Sequence, residues 1–189
     1  APLDGYTPLF QRMLSHQNIT HLTGVDYHEF DEADGRHLIY TGGIDRFFDY
    51  AYGRLPYRSM EIRQIHLPTS NVFPVSTINY PNTSGILRAT EQPKITGQMQ
   101  LNKKISGTFI MTEAPKEYNP ADRESEQYYP IPTLDNRDLY NSYVHLAKTE
   151  APHVTFAGRL GSYLYIEMGQ AVGHAMSVFE NQILPKEMS

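Results

Sequence analysis

Apolar and polar positions change period several times along the chain, and those changes outline its elements. Near the start, Leu9, Phe10, Met13 and Leu14 recur at helical spacing, with Thr7 as the expected cap and Pro8 at the first helical position. Ile19 to Tyr27 reads as extended, its alternation interrupted by polar residues. His37-Leu38-Ile39-Tyr40-Thr41 is a clearer strand, stopped by Gly42-Gly43. The run Phe47-Phe48-Asp49-Tyr50-Ala51-Tyr52-Gly53 is an aromatic cluster expected to pack between layers.

From Tyr57 to about Thr112 the strand pattern dominates. The predicted strands are Tyr57–Ile65, Val72–Tyr80, Ile86–Thr90 and Ile105–Met111, parted by Pro, Asn and Gly turns. Strands that follow one another without intervening helices predict an antiparallel sheet. Pro115 to Pro132 is proline-rich and charged and reads as an ordered loop. A helix is expected next, capped near Asp135 or Asn136, with Leu139, Tyr143, Leu146 and Ala147 on one face. Val154-Thr155-Phe156-Ala157 reads as a short buried strand, followed by Gly158-Arg159-Leu160-Gly161. In a last helix Met168, Val172, Ala175, Met176, Phe179 and Ile183 share one stripe, and Pro185 ends it. The predicted class is α+β: a mostly antiparallel central sheet flanked by helices.

Composition narrows the chemistry. The 189 residues suffice for a buried core, 40% are apolar, and no apolar run has the length of a membrane span. The opening Ala1-Pro2-Leu3-Asp4-Gly5-Tyr6 lacks the basic-then-apolar order of a signal peptide. There is no cysteine, which excludes disulfides, thiolate nucleophiles and Cys-ligated metals, and the expected location is cytoplasmic. A net charge of −5 argues against a nucleic-acid partner, so an anionic ligand must be held by a few placed arginines. The eight histidines show no metal-ligand spacing; His16, His21 and His28 read as ordinary residues, and no metal is expected. Asn18 and Asn82 each open a short Asn-x-Ser/Thr pattern that carries little information. No nucleophile elbow, phosphate-binding Gly-Lys loop or Gly-x-Gly-x-x-Gly turn occurs.

The segment from Val154 to Met168 is the most informative. Strand, glycine-bearing turn and helix start suit an anion, because unpaired N–H groups and the helix dipole converge there, and Arg159 can add a bidentate contact. Such junctions are also common without any ligand. Tyr128-Tyr129-Pro130 could form a substrate-facing aromatic pair, but in isolation such a run is more often loop packing. Arg58, Arg88 and Glu113, taken singly, read as surface or salt-bridge residues.

Taken in order, however, these pieces resemble the second half of the UDP-galactopyranose mutases. The resemblance rests on Gly5-Tyr6-Thr7-Pro8-Leu9-Phe10, Tyr40-Thr41-Gly42-Gly43-Ile44-Asp45, Tyr52-Gly53-Arg54-Leu55-Pro56-Tyr57-Arg58-Ser59 and Ile78-Asn79-Tyr80. It continues through Leu87-Arg88-Ala89-Thr90-Glu91, Tyr128-Tyr129-Pro130-Ile131 and Gly158-Arg159-Leu160-Gly161-Ser162-Tyr163-Leu164-Tyr165. Any one motif is weak; the ordered set, from about residue 5 to 180, is specific.

The resemblance implies interconversion of UDP-galactopyranose and UDP-galactofuranose through an adduct between the sugar and N5 of reduced FAD, with the protein orienting the sugar and stabilising the departing diphosphate. By the same resemblance Arg88 grips the diphosphate, and Tyr129 and Tyr165 hydrogen-bond it, making these three the catalytic set. Arg58, Asn79 and Glu113 complete the substrate-binding set. Gly158, Arg159, Tyr163, Glu167 and Met168 are the implied cofactor-binding set, with Arg159 on the FAD pyrophosphate and Glu167-Met168 beside the ribityl chain.

Some positions depart from the family pattern. Glu167 stands where Asp is usual, Gly43 stands where a proline commonly follows the glycine, and Ala114-Pro115 follows Glu113 where an aromatic residue is common. Family members are roughly twice this length and open with a dinucleotide-binding turn. The implied organisation is therefore 1–50 as part of an incomplete FAD-binding domain, 51–150 as the substrate-binding sheet, loop and helix, and 151–189 as the strand, turn and last helix of the FAD domain. The expected consequences are weak or no FAD binding by this chain alone and catalytic silence. The uncovered apolar surface is expected to meet a missing N-terminal half or a second copy in a homodimer. The competing readings are a non-catalytic nucleotide-sugar binding module and a structural fragment.

Overall fold

The computed structural model describes residues 2, 4–29, 37–81, 85–95, 106–122 and 125–184. In chain order its elements are α1 (Tyr6–Met13), β1 (Leu38–Tyr40), α2 (Ile44–Phe47), β2 (Tyr57–Leu67), β3 (Thr77–Asn79), β4 (Arg88–Glu91) and α3 (Gln92–Ile95). There follow β5 (Thr108–Glu117), β6 (Tyr129–Pro130), α4 (Leu134–Glu150), β7 (Val154–Phe156), α5 (Gly158–Gly161) and α6 (Met168–Val178). The strands form a five-stranded sheet of order β3-β4-β5-β2-β6 and a two-stranded parallel ladder of β1 and β7. The α+β class with an antiparallel sheet is as the sequence predicts. Among the described residues no helix is long and apolar enough to cross a membrane.

The chain divides into two compact units, one of Ala1–Asp31 and Met60–Pro115, the other of Glu32–Ser59 and Lys116–Ser189. In the first, β3, β4 and β5 pair in antiparallel register. Its buried side chains include Ala89, Ile110, Thr90, Thr108 and Glu91. The Glu91 carboxylate accepts hydrogen bonds from the Val72 and Phe73 amides at 3.0 and 2.9 Å and from the Thr108 hydroxyl at 3.0 Å, and pairs with Lys94 at 3.0 Å. A fully buried carboxylate is tolerated only when so many donors meet it. Lys94 also donates to the Phe73 carbonyl. This web explains why the strand expected over Val72–Tyr80 is confined to Thr77–Asn79: the amides of its first two residues are drawn to Glu91 rather than to a ladder.

The second unit centres on Ile44, Leu55, Tyr57, Tyr143 and Tyr163, with Phe48, Leu139, Tyr140 and Phe156 packed against them. The aromatic run expected to pack between layers is only partly covered: Phe47 meets Tyr40 and Phe156 edge-on, with ring centroids 5.1 and 5.0 Å apart, whereas Tyr52 is exposed. Tyr143 on α4 is wholly buried. Its hydroxyl donates to the Gly53 carbonyl at 2.7 Å and accepts the Tyr52 amide at 3.0 Å. Those two bonds hold the loop in which Asp49 and Tyr50 adopt left-handed backbone (φ 47 and 59°).

Several local expectations are corrected. The first helix begins at Tyr6 with Gly5 as its cap, and none of its residues is buried, so the Leu9/Phe10/Met13 stripe is uncovered. Ile19–Tyr27 forms no strand; a single 3-10 turn follows at Tyr27–Glu29. Thr133, rather than Asp135 or Asn136, caps α4, its hydroxyl accepting the Asn136 amide at 3.3 Å. Pro115–Pro132 is not all loop, because β5 runs to Glu117 and β6 occupies Tyr129–Pro130. Along α6 and the π-helical turn Phe179–Ile183, Met168, Val172, Met176 and Phe179 are exposed, while Val178 and Ile183 are buried. Ile105, Asn82 and Pro185, which figure in the sequence reading, lie outside the described residues.

Candidate functional site

In the first unit the antiparallel register sets three of the expected site residues in one row. Asn79 on β3 is opposite Arg88 on β4, and Arg88 is opposite Glu113 on β5. Directly opposed residues project from the same face of a sheet. Arg88 Nε and Nη2 donate to the two Glu113 carboxylate oxygens at 2.7 and 2.6 Å, a bidentate pair. The Glu113 side chain is 8% exposed and that of Arg88 is 45% exposed. The buried carboxylate thus fixes the plane of a guanidinium that also reaches solvent. A planar, permanently charged group fixed in that way suits phosphate oxygens.

In the second unit the remaining residues gather around Arg159. Gly158 opens α5 at φ 76°, a conformation that favours glycine, and so turns the chain after β7. Arg159 then donates from Nε and Nη2 to the Ile166 carbonyl at 3.1 and 2.5 Å, and from Nη1 to the Tyr128 carbonyl at 3.1 Å. Its guanidinium lies 4.7 Å from the centroid of the Tyr129 ring. Tyr129 stacks on Tyr165 with centroids 5.1 Å apart and an interplanar angle of 26°. Tyr165 is exposed, and Arg58, also exposed, pairs with Tyr129 across β2 and β6. Arg58, Tyr129, Tyr165 and Arg159 therefore form one aromatic and cationic cluster, built by the backbone of residues 58, 128–129 and 158–166.

The other expected cofactor residues have distinct placements. Tyr163 is buried, and its hydroxyl donates to the Pro56 carbonyl at 2.7 Å and lies 3.1 Å from the Ile131 carbonyl. Glu167 and Gln170 close the start of α6 as a reciprocal capping box. Met168 is exposed on the first turn of that helix.

The order of the motifs agrees with comparison against known proteins. The family model of UDP-galactopyranose mutase matches residues 1–165. The chain belongs to the UDP-galactopyranose mutase family. Its relatives include a dTDP-fucopyranose mutase of Escherichia coli, 30% identical over 93% of this chain and 46% of the relative. A UDP-galactopyranose mutase of Mycoplasma pneumoniae is 29% identical over 95% of this chain and 47% of its own length. A probable UDP-galactopyranose mutase of Klebsiella pneumoniae is 29% identical over 93% and 44%. The chain thus spans about half the length of the relatives it matches.

For a member of the UDP-galactopyranose mutase family the fit to FAD must be tested on these residues. A guanidinium carries five N–H donors, and three of those on Arg159 are engaged by backbone carbonyls. Two remain for a pyrophosphate oxygen, and the stacking on Tyr129 holds the group in place. The start of α6 does not add an anion site, because Glu167 already accepts the N–H of Gln170 there. The residues therefore fit a cofactor phosphate through Arg159 and not through the helix end.

Sequence reasoning did not single out two buried carboxylates. Glu91 follows Arg88 on the same strand and is held down to a pKa of about 2: burial pushes it up, but the Phe73 amide, Lys94, the Val72 amide and Thr108 together outweigh that. Asp45 in α2 is fully buried and is pushed above its ordinary value chiefly by burial, which the Leu55 amide bonded to it, the nearby Arg46 and own amides and the charge of Arg54 only partly offset. The one available signal was that each closes a motif quoted above. A cleft of about 460 Å³ beside α4, β7 and α6 was also not foreseen. Among its lining residues are Lys148, Ser162 and His174, with Ser162 Oγ 3.0 Å from His174 Nε2.

Proposed function

We propose that this chain carries the diphosphate-recognising part of a nucleotide-sugar mutase acting on UDP-galactose, and that these 189 residues taken alone bind ligand without converting it. The observation that carries this reading is the pairing of a sheet-fixed guanidinium, Arg88, with membership of the mutase family. Departure of UDP from a sugar leaves a diphosphate whose negative charge must be met by fixed cations and hydroxyl donors. Arg88 supplies a planar cation whose orientation is set by Glu113. The Tyr129 and Tyr165 hydroxyls supply neutral donors on rings that hold each other by stacking. Arg58 and Asn79, both exposed, supply further polar contacts to substrate.

Reduced FAD, when bound, supplies the nucleophile that takes the anomeric carbon from UDP. Arg159 would hold its pyrophosphate through the two N–H groups left by the Tyr128 and Ile166 carbonyls. Glu167 and Met168, at the start of α6, would flank its ribityl chain, and Gly158 allows the tight turn that follows β7. Tyr163 contributes by fixing that turn to Pro56 and Ile131 rather than by touching the cofactor. On this reading residues 51–150 serve the substrate and residues 1–50 and 151–189 belong with the flavin.

The relatives carry names for two different nucleotide sugars, and the roles given to Arg88, Tyr129 and Tyr165 concern the diphosphate that both share. Titration of the chain with UDP-galactose, followed by nuclear magnetic resonance, tests the reading. Saturable shifts at Arg88, Tyr129 and Tyr165 that UDP reproduces and uridine does not are expected. Shifts confined to other residues, or none at all, would refute it. A parallel titration with a dTDP-sugar decides whether the base is discriminated.

A further inference from the structure

A second buried polar arrangement lies within the unit of Glu32–Ser59 and Lys116–Ser189 and is independent of the mutase reading. It surrounds the buried Gly43. A Cβ built on Gly43 would have three oxygens as its nearest neighbours outside the adjoining chain: Asp45 Oδ1 at 2.7 Å, Gln127 Oε1 at 3.4 Å and Tyr57 Oη at 3.6 Å. Asp45 is 0% exposed and Tyr57 3%. Asp45 Oδ2 accepts the Leu55 amide at 2.9 Å, whereas Asp45 Oδ1 and Tyr57 Oη have no partner within the protein. Two buried polar atoms left in that state would each cost on the order of a protein hydrogen bond or more.

The chemistry of the three oxygens decides what satisfies them. A carboxylate oxygen and an amide oxygen both accept, and a phenol can donate as well as accept. A species placed among them must therefore offer at least two donors, one toward Asp45 and one toward Gln127, and be able to accept from or donate to Tyr57. Water meets that requirement with three partners, the usual number for a buried water. A magnesium or calcium ion would need about six or more oxygens, which these three do not supply. A methyl group would place carbon against Asp45 Oδ1 at a distance too short for contact. The φ of Gly43 is −64°, so the backbone itself would accept proline or alanine. A side chain here would have to displace Asp45 Oδ1, so the space beside the Gly43 Cα, and not conformational freedom, favours glycine.

We propose that Asp45 Oδ1, Gln127 Oε1 and Tyr57 Oη bind one ordered water over Gly43. This water ties the turn after β1 to the start of β2 and to the segment leading into β6. Gln127 directly precedes Tyr128, whose carbonyl receives Arg159, so the water is a positioning element for the Tyr128–Tyr129 segment.

Crystallography of the wild-type chain, at a resolution that shows single waters, tests this directly. The expected result is one peak within about 2.6 to 3.2 Å of all three oxygens, without anomalous signal after soaking in thallium salt. Gly43→Ala is expected to lose the peak and to unfold at a lower denaturant concentration. Tyr57→Phe, which keeps the ring, is expected to retain the peak with two partners. A cell with no peak in the wild-type chain, or one filled by thallium, would overturn the proposal even if Gly43→Ala failed to fold.

Discussion

Arg88 and Glu113 face each other in register on β4 and β5 and are joined by two N–H···O bonds of 2.7 and 2.6 Å. The carboxylate is nearly buried and the guanidinium is not. Removing the arginine leaves an unpaired buried charge, whereas removing the carboxylate frees an arginine that water can solvate. Arg88→Ala is therefore expected to cost about 1–2 kcal/mol of stability, with the exposure of Arg88 limiting the loss. Glu113→Gln should cost less. Urea unfolding of both variants checks the order, and a larger loss for Glu113→Gln would contradict it.

Arg159 is held by two carbonyls and by the Tyr129 ring, a set that lysine cannot reproduce because it lacks the planar fork. Arg159→Lys should loosen the turn from Tyr163 to Glu167 and cost about 1–3 kcal/mol. Amide hydrogen exchange is the measurement, with faster exchange expected at Leu164, whose amide is bonded to the Arg159 carbonyl. Unchanged protection there would show that the guanidinium does not organise the turn.

Glu91 makes stability depend on acid. Its pKa is lowered from 4.5 to about 2, so its contribution is fully present above the ordinary value and is lost as pH falls through about 2. That contribution is on the order of 3 kcal/mol at neutral pH. Glu91→Gln should lower the urea midpoint at pH 7 and flatten its fall between pH 4.5 and 2. A variant with the wild-type acid profile would exclude Glu91 as the source.

Asp45 acts in the opposite sense. Its pKa is raised, mainly by burial, so its contribution is present below the ordinary carboxylate value and is lost as pH rises through the raised one. Asp45→Asn keeps an acceptor for the Leu55 amide and removes the charge. The variant is expected to gain on the wild type as pH rises from 4 to 7, measured by denaturant midpoints. An equal difference at both pH values would contradict this.

The strands and helices that could be read from sequence were those whose side chains alternate or recur against a core. Leu38–Tyr40, the first residues of β2 from Tyr57 to Ser59, and Leu134–Glu150 are of this kind. Val72 and Phe73 misled because their apolar pattern says strand while a carboxylate 18 or 19 residues away claims their amides. The α6 stripe misled for another reason: periodicity identifies an apolar face but does not say what covers it, and Met168, Val172 and Met176 are exposed. Arg88 and Glu113 were legible only as members of an ordered family pattern; that they pair with each other is a matter of sheet register. The enclosure of Asp45 and Tyr57 beside Gly43 had no sequence signal beyond the motifs that contain them.

The central claim, that this chain recognises a nucleoside diphosphate through a sheet-fixed arginine, is tested most directly by calorimetric titration of wild-type and Arg88→Ala chains with UDP. The account predicts binding in the micromolar range, about −8 kcal/mol, weakened at least tenfold by the substitution in a protein that remains folded. Wild-type binding that is absent, or that Arg88→Ala leaves unchanged, would contradict it.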